Sequence, residues 1–295
     1  MMLCNRYNWA AAALILLAMT GCGGPGTDQA TTTADTLTVT QDADALVKVG
    51  NKLFSIPSPV QSVLLIRDLK APYTPELALP TDSMARFTTK EKQAMALGIY
   101  GADLAYAAVH KDAQRALKTM KAVEQLSGQL NLANALSKGL LEGFKKNINN
   151  EDSLLRMTGT AFRNLDMYLK EDERNDVSVA VLTGGWVEGL YLALGATGNT
   201  LDDRLAKRIA EQQHTLNNLI ELQQQNGGSP EVIALFQDLA SSYKDISLEY
   251  TFVQPTLDAE HKITYINSET KAQVSPQALE GILRKIRSIR SAIIA

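Results

Sequence analysis

Apolar residues recur at helical spacing along most of the chain from residue 59 onwards. Spacings of three and four residues between apolar positions are typical of amphipathic helices that bury one face. The pattern predicts helices near 59–70, 88–110, 112–127, 131–148, 151–171, 175–196, 201–226, 230–249 and 276–294. We therefore expect an all-α fold, arranged as an irregular bundle or as a stack of helical hairpins.

Serine–proline pairs mark three of the predicted helix starts. They are Ser58-Pro59, Ser229-Pro230 and Ser275-Pro276. A serine side chain can accept a hydrogen bond from the first helical turn, and a proline in that turn lacks an N–H that would have no helical partner. These pairs therefore predict helices that begin at residues 59, 230 and 276.

One segment near the C-terminus departs from the helical pattern. β-Branched and aromatic residues are enriched in 262–267 and 270–274, with a predicted turn at Ser268-Glu269 between them. We expect one small β-hairpin near 260–275. No linker rich in proline or glycine divides residues 46–295, so this range is predicted to be a single helical domain.

The start of the chain has the features of an export signal. One cation, Arg6, precedes an apolar run over residues 10–19, which is too short to span a bilayer as a helix. Met19-Thr20-Gly21-Cys22 then resembles a bacterial lipobox, in which a signal peptidase cuts before a cysteine that receives lipid. We expect residues 1–21 to be a lipoprotein signal peptide and Cys22 to be the lipidation site. The alternatives are an ordinary signal peptide with a chance cysteine and an uncleaved N-terminal anchor.

Residues 22–45 are predicted to form a flexible tether, because they are rich in glycine, threonine and aspartate and have no sustained apolar period. Gly23 stands where some bacterial lipoproteins carry an acidic residue that retains them at the inner membrane. The expected location is therefore the outer membrane of a bacterial cell envelope, on its periplasmic or surface face. Cys4 lies in the predicted signal peptide, so we expect no disulfide within the mature chain.

Composition and charge argue against several classes of function. The chain of 295 residues has 29 basic and 32 acidic residues and a net charge of -3, which argues against a nucleic-acid partner. Three histidines and two cysteines are too few for a Cys/His zinc site or an iron–sulfur cluster, so no metal and no cofactor are expected. His110 and His214 are predicted to be surface residues. Motifs of serine hydrolases, P-loop NTPases and zinc peptidases are missing.

Four segments of the chain resemble a family of exported helical lipoproteins from Bacteroidetes. The segments are 54–59 (FSIPSP), 97–104 (LGIYGADL), 161–168 (AFRNLDMY) and 184–191 (GGWVEGLY). The resemblance covers roughly residues 54–195. It implies a helical exported domain, and it brings no activity and no catalytic residues to this chain.

A nearly uncharged segment over residues 177–196 has the length of a transmembrane helix. Its single charge, Glu188, would lie near the middle of the bilayer at a cost of kilocalories, and the lipid on Cys22 already provides an anchor. We therefore predict a central core helix. Gly184, Gly185 and Gly189 lower its intrinsic stability, so we expect a neighbouring helix, or a ligand, to approach its backbone closely.

Carboxylates inside apolar helices are the sharpest chemical feature of the sequence. Asp103, Asp166 and Glu188 all lie in or beside such segments, where an unpaired charge is expensive to bury. Each is therefore expected to have a partner, and the candidates are Arg163, Arg174, Tyr106 and Tyr191. We favour a structural role for these carboxylates, in a buried polar network that fixes the register of the helices.

A functional role for the same carboxylates is the alternative. The residues could line a cleft that binds a polar ligand such as a sugar, and paired carboxylates could act as acid and base in glycoside hydrolysis. The candidate ligand-binding residues are Tyr100, Asp103, Tyr106, Asp166, Trp186, Glu188 and Tyr191. The two roles differ in geometry, because catalysis needs an open cleft and a structural role needs carboxylates sealed against a cation.

The last predicted helix carries an apolar stripe through Leu279, Ile282, Ile286 and Ile289, with cations around it. We expect this helix to dock on the bundle, although it could instead lie on an anionic membrane. Together these features predict a lipid-anchored cell-envelope protein with a non-enzymatic binding or scaffolding role, whose partner is an envelope protein or glycan. An envelope enzyme with glycosidase-like chemistry is the alternative.

Overall fold

Two apolar helices form the centre of the fold, and the other helices surround them. In this computed structural model the described residues are 45–49, 52–56, 59–136, 139–198, 202–252, 254, 256–258, 263–265 and 268–295. They all belong to one compact unit, Gln41–Ala295. The predicted signal peptide, the lipidation site at Cys22 and all of the predicted tether except Ala45 lie outside the described residues.

The helices and strands follow one another along the described chain. The order is β1 (Ala45–Val49), β2 (Lys52–Ile56), α1 (Pro59–Asp68), two 3₁₀ turns (Pro75–Leu77 and Thr81–Arg86), α2 (Lys90–Val109), α3 (Ala113–Gln129), α4 (Leu140–Lys146), α5 (Glu151–Glu171), α6 (Asn175–Thr197), α7 (Asp203–Gln225), α8 (Pro230–Ser241), β3 (Ser247–Phe252), β4 (Thr256–Asp258), β5 (Ile263–Tyr265), β6 (Ser268–Gln273) and α9 (Pro276–Ile294).

Helices α2 and α6 touch through their backbones. Every residue of α2 from 94 to 109 is buried. A Cβ atom on Gly98 would lie 2.0 Å from the Val181 carbonyl oxygen of α6, and one on Gly184 would lie 1.9 Å from the Met95 carbonyl oxygen of α2. Only glycine allows this approach, because any side chain would overlap main-chain atoms that cannot move aside. Helices α1, α3, α5 and α9 pack around this central pair.

The predicted all-α class with a small strand region is confirmed, and seven of the predicted helices begin and end within two residues of α1, α2, α3, α5, α6, α7 and α9. Helices α1, α8 and α9 begin at the predicted prolines, and the Ser275 hydroxyl accepts a hydrogen bond from the Ala278 amide. The expectation of a docked C-terminal helix is also confirmed, because α9 packs against α6 and α8.

Two predicted helices are shorter than expected. The helix predicted over 131–148 is limited to α4, because Asn131 adopts a left-handed φ of 57° and the Leu132 amide bonds back to the Ser127 carbonyl at 2.7 Å. This closes α3 with a Schellman turn. The helix predicted over 230–249 ends at Ser241, where the chain turns into β3. The β1–β2 hairpin was not predicted by the sequence pattern.

The strands near the C-terminus pair differently from the predicted hairpin. Strand β6 pairs with β3 and β5 pairs with β4, both antiparallel, instead of β5 turning directly into β6. The pairs β3–β6 and β4–β5 are two separate two-stranded sheets, and β4 and β5 lie between β3 and β6 in the sequence. We call the described residues between 247 and 273 the β-arm.

We predict that Gly184→Ala strongly destabilises the protein. The added Cβ would overlap the α2 backbone at Met95, and overpacking of this kind costs about 3 kcal/mol or more when the neighbour is rigid. Urea denaturation measures the change. Gly159→Ala is the matched control, because no heavy atom lies within 4 Å of its added Cβ and alanine favours a helix by up to about 1 kcal/mol. Equal unfolding midpoints for the two variants would contradict the close contact.

Candidate functional site

A two-point ion pair in the interior joins Glu188 of α6 to Arg290 of α9. The Arg290 Nε donates to Glu188 Oε2 at 2.5 Å, and Nη2 donates to Oε1 at 2.9 Å. The same Nη2 donates to the Leu77 carbonyl at 3.1 Å, and the guanidinium lies 4.3 Å from the centre of the Tyr191 ring. Glu188 is 0 % exposed, so this two-point contact satisfies a carboxylate that has lost all of its water.

Asp103 of α2 adds a second buried carboxyl group to this cluster. One oxygen, Oδ2, accepts a hydrogen bond from the Leu79 amide at 3.0 Å, whereas Oδ1 has no donor among the described residues. Burial raises the pKa of Asp103 well above its usual range, and the negative charge of Glu188 raises it further. Both effects favour the protonated, neutral form of Asp103 beside the Glu188 carboxylate.

The protonation of Asp103 balances the charge of the cluster. One guanidinium then faces one carboxylate and one neutral acid, so no net charge is left in the core. The cluster connects α2, α6, α9 and the segment around Leu77 and Leu79. Because Asp103 and Glu188 are both 0 % exposed, a substrate has no access to either carboxyl group. This arrangement matches the geometry expected for a structural role.

The predicted tyrosines bind main-chain groups rather than the carboxylates. The Tyr100 hydroxyl donates to the Pro80 carbonyl at 3.0 Å, and the Tyr106 hydroxyl accepts from the Thr74 amide at 3.1 Å. Both tyrosines therefore hold the segment between α1 and α2 against α2. This segment also supplies the Leu79 amide that binds Asp103. The tyrosines thus close one side of the carboxyl cluster without entering it.

Two of the candidate ligand residues lie away from the cluster. The Trp186 Nε1 donates to Gln212 Oε1 of α7 at 2.8 Å, and the indole packs edge-on against Phe236. Asp166 of α5 pairs with Lys170 and accepts a hydrogen bond from Ser178 of α6 at 2.8 Å. The seven predicted residues therefore do not line one cleft. Asp103, Glu188 and Tyr191 meet at Arg290, and the others serve separate contacts.

Arg290 is the central residue that the sequence did not indicate as a partner. Arg174, an expected partner, instead donates to the Leu130 carbonyl at 2.8 Å. The signal for Arg290 is its position, four residues after Ile286 and three before Ile293, which are both buried. A cation at such a position points into the packed face of its helix. It therefore needs a buried anion.

A cluster of aromatic rings packs beside the Tyr106 hydroxyl. Tyr73, Tyr106 and His110 have ring centres between 4.7 and 5.4 Å apart. His110 was expected to be a surface residue, but it is only partly exposed, because it stacks on Tyr73 at the end of α2. Burial lowers the pKa of His110. His214 is exposed, as predicted.

A small cleft lies at the other end of the central helices, between the N-termini of α2 and α6 and the C-terminus of α7. Its volume of about 190 Å³ is below the range of roughly 300 to 1,000 Å³ that is usual for ligand pockets. An ion pair between Lys90 and Asp176 at 2.8 Å lies in its wall. Asp103 lies 13 residues after Lys90 along α2, roughly 20 Å at helical rise, and none of the predicted ligand residues lines the cleft.

Helix α6 is long and apolar enough to cross a membrane, and it is the one such helix in the described part of the chain. In its most apolar window 89 % of the residues are buried inside the protein. Helix α6 is therefore packed in the core of the protein, as the sequence predicted. Among the described residues, no group of three or more histidine, cysteine, aspartate or glutamate side chains could hold a metal ion.

We predict that Glu188→Gln lowers the free energy of unfolding by about 3 to 5 kcal/mol, because the neutral amide leaves a buried guanidinium without its counter-charge. Urea denaturation at neutral pH measures the change. Glu142→Gln is the matched control, since Glu142 forms an exposed pair with Lys145 and its loss should leave the midpoint almost unchanged. A Glu188→Gln protein with an unchanged midpoint that no longer binds envelope glycans would assign Glu188 to a ligand site.

We predict that the free energy of unfolding of Asp103→Asn rises relative to that of the wild type as the pH rises. Folded Asp103 keeps its proton at pH values where the unfolded chain has lost it, so the wild-type free energy of unfolding falls as the pH rises from about 4 towards the raised pKa. The slope is at most about 1.4 kcal/mol per pH unit. Asparagine is always neutral and its side-chain oxygen can accept the hydrogen bond from the Leu79 amide, so the variant lacks this loss.

Urea midpoints of wild type and Asp103→Asn between pH 5 and 9 test this expectation. Asp176→Asn is the control. Despite partial burial, hydrogen bonds from Lys90 and the Val177 amide lower the pKa of Asp176, so this carboxyl is ionised throughout that range. Its difference from wild type should stay constant with pH. A constant difference for Asp103→Asn as well would show that Asp103 is ionised in the folded protein.

Comparison with known proteins gives no family for this chain. No protein-family model, no curated protein and no solved structure matches it. The resemblance of four sequence segments to exported lipoproteins therefore stays a prediction, and the geometry of the described residues is the basis for a proposal about function.

Proposed function

We propose that this chain is a lipid-anchored protein of the bacterial cell envelope with a non-enzymatic binding or scaffolding role, located at the outer membrane. The observation that carries the non-enzymatic part is the sealed cluster of Asp103, Glu188 and Arg290. These carboxyl groups were the best candidates for acid–base chemistry, and both are completely buried. Arg290 binds both oxygens of Glu188, and the Leu79 amide binds one oxygen of Asp103.

Acid–base catalysis on a glycan needs two carboxyl groups that reach a substrate from opposite sides. A buried pair of carboxyl groups beside one guanidinium is instead suited to hold three helices in a fixed arrangement. Removing one of these three side chains would therefore lower the stability of the fold. The glycosidase-like alternative therefore has no support from the residues that suggested it.

A binding role is supported by the outer surface of the folded unit. Large apolar side chains are exposed at Tyr250, Phe252 and Leu257 in the β-arm, and at Met167 on α5. Single exposed apolar residues are ordinary, but three of these four lie in the β-arm. A concentration of exposed apolar side chains is typical of surfaces that contact another molecule. The β-arm is therefore the part of the described chain that is best suited to a binding role.

The anchor proposal depends on the lipobox at residues 19–22. Its main competitor as a membrane attachment is the apolar helix α6. Because α6 is mostly buried against other helices and carries Glu188 in the core, it would have to leave the fold in order to enter a bilayer. Lipid on Cys22 needs no such rearrangement.

We predict that Cys22→Ser moves the protein from the membrane fraction to the soluble fraction, because the thiol that accepts the acyl chain is lost. Cell fractionation followed by a carbonate wash and immunoblotting measures the distribution. Cys4→Ser is the matched control. Cys4 lies in the predicted signal peptide, so its substitution should leave the protein in the membrane fraction. A Cys22→Ser protein that resists the carbonate wash would place the anchor elsewhere in the chain.

A further inference from the structure

The β-arm begins on the protein body and extends away from it. At its base, Leu248 and its cross-strand partner Ala272 are partly buried and pack against the core. Farther out, Tyr250 is 61 %, Phe252 is 84 % and Leu257 is 70 % exposed. The apolar character of the base therefore continues outwards along side chains that contact little of the protein.

The strand register places Tyr250 and Phe252 on one face of the β3–β6 pair, and Leu257 lies on β4. In the inner part, Tyr250 pairs with Thr270 and Phe252 lies opposite residue 268. In the outer part, Leu257 pairs with Thr264. Directly paired residues point to the same side of an antiparallel ribbon, and residues two apart on one strand do so as well.

The apolar area that the three described side chains expose bears on what can cover them. Tyrosine and phenylalanine each bury roughly 150 to 250 Å² when covered, so these three side chains offer on the order of 400 Å². A stable protein–protein interface needs about 800 Å² from each partner. The three side chains alone are therefore too few to hold a second copy of the chain. Shallow insertion into a bilayer has no such minimum area, and aromatic side chains favour the interfacial region.

We propose that the β-arm inserts Tyr250, Phe252 and Leu257 into the surface of the bilayer to which Cys22 anchors the chain. This inference rests on the lipid anchor proposed above. The predicted tether between Cys22 and β1 comprises residues 23–44, and a flexible segment of that length has a root-mean-square span of roughly 25 Å. The anchored domain is thus held within reach of the membrane. Insertion of the β-arm would fix which side of the domain faces the lipid.

The charge of the β-arm indicates the kind of bilayer. Residues 247–273 contain four acidic residues (Glu249, Asp258, Glu260 and Glu269) and two lysines (Lys262 and Lys271), which gives a net charge of -2. An acidic arm is repelled by anionic headgroups. We therefore expect contact with zwitterionic phosphatidylcholine vesicles to be stronger than contact with vesicles that contain phosphatidylglycerol.

A fluorescent label beside the exposed apolar side chains of the β-arm tests the insertion. The full chain is produced with its leader, purified in detergent and reconstituted into phosphatidylcholine vesicles. Gln254 is exposed and lies between Phe252 and Leu257, so Gln254→Cys accepts a thiol-reactive NBD dye without removing an apolar residue. We expect NBD emission shifted to shorter wavelength and quenched by lipids with brominated acyl chains.

Serine substitutions identify the side chains that are responsible. Replacing Tyr250, Phe252 and Leu257 together by serine should abolish both the spectral shift and the quenching, while the protein stays with the vesicles through its lipid. Met167→Ser removes an apolar residue that is 52 % exposed on α5, and it should leave both signals unchanged. Urea midpoints close to wild type for both variants establish that the fold is retained.

The same experiment separates failure of the anchor from failure of the insertion. A lipidated mature chain has no free thiol, so dye that reacts with Cys22 in the parent protein would overturn the anchor and the insertion with it. Vesicle-bound, labelled protein whose emission is that of NBD in water would overturn the insertion alone. A shifted emission that brominated lipids do not quench, and that grows with protein density, would show contact with a second chain instead.

Discussion

The contact between Glu188 and Arg290 is the interaction on which the arrangement of the helices depends. A buried ion pair of this kind contributes little net free energy, because the desolvation of both charges offsets their attraction. Its effect is on specificity, since α9 can dock only where its guanidinium reaches a carboxylate. Asp103 joins as a neutral acid, so the core holds one positive and one negative charge. The apolar residues of α9 favour its burial, and Arg290 determines its position.

The glycine contact between α2 and α6 brings the carboxyl groups together. Gly98 and Gly184 let the two backbones touch, and both helices run from that contact towards the cluster, five residues on to Asp103 and four on to Glu188. A wider separation would take Asp103 away from the negative charge of Glu188, which raises the Asp103 pKa. The low helix propensity of the glycines is offset by the close packing of the two backbones.

Polar groups in the interior and apolar groups on the surface have different roles in this protein. In the interior, Glu188, Tyr100 and Trp186 each bind groups of the protein itself. On the surface, the β-arm presents apolar side chains that the protein leaves uncovered. The proposed lipid on Cys22 and the β-arm would give the domain two contacts with one membrane. Two contacts restrict the orientation of a domain that a single flexible tether would leave free.

The sequence by itself determined the helices, because helical spacing of apolar residues and serine–proline starts are local signals. It also indicated that α6 is buried and that Asp103 and Glu188 need partners. Only the tertiary structure decided which partner Glu188 has, since Arg290 lies 102 residues away and meets it through the docking of α9. The sequence pattern also did not predict the pairing of the β-arm strands or the late start of the helix expected over 131–148. Strand pairing is not local, and a left-handed residue such as Asn131 is not marked by the spacing of its neighbours. The tertiary structure also decides which protonation state of Asp103 is favoured, because a pKa depends on burial and on charges that only packing brings near.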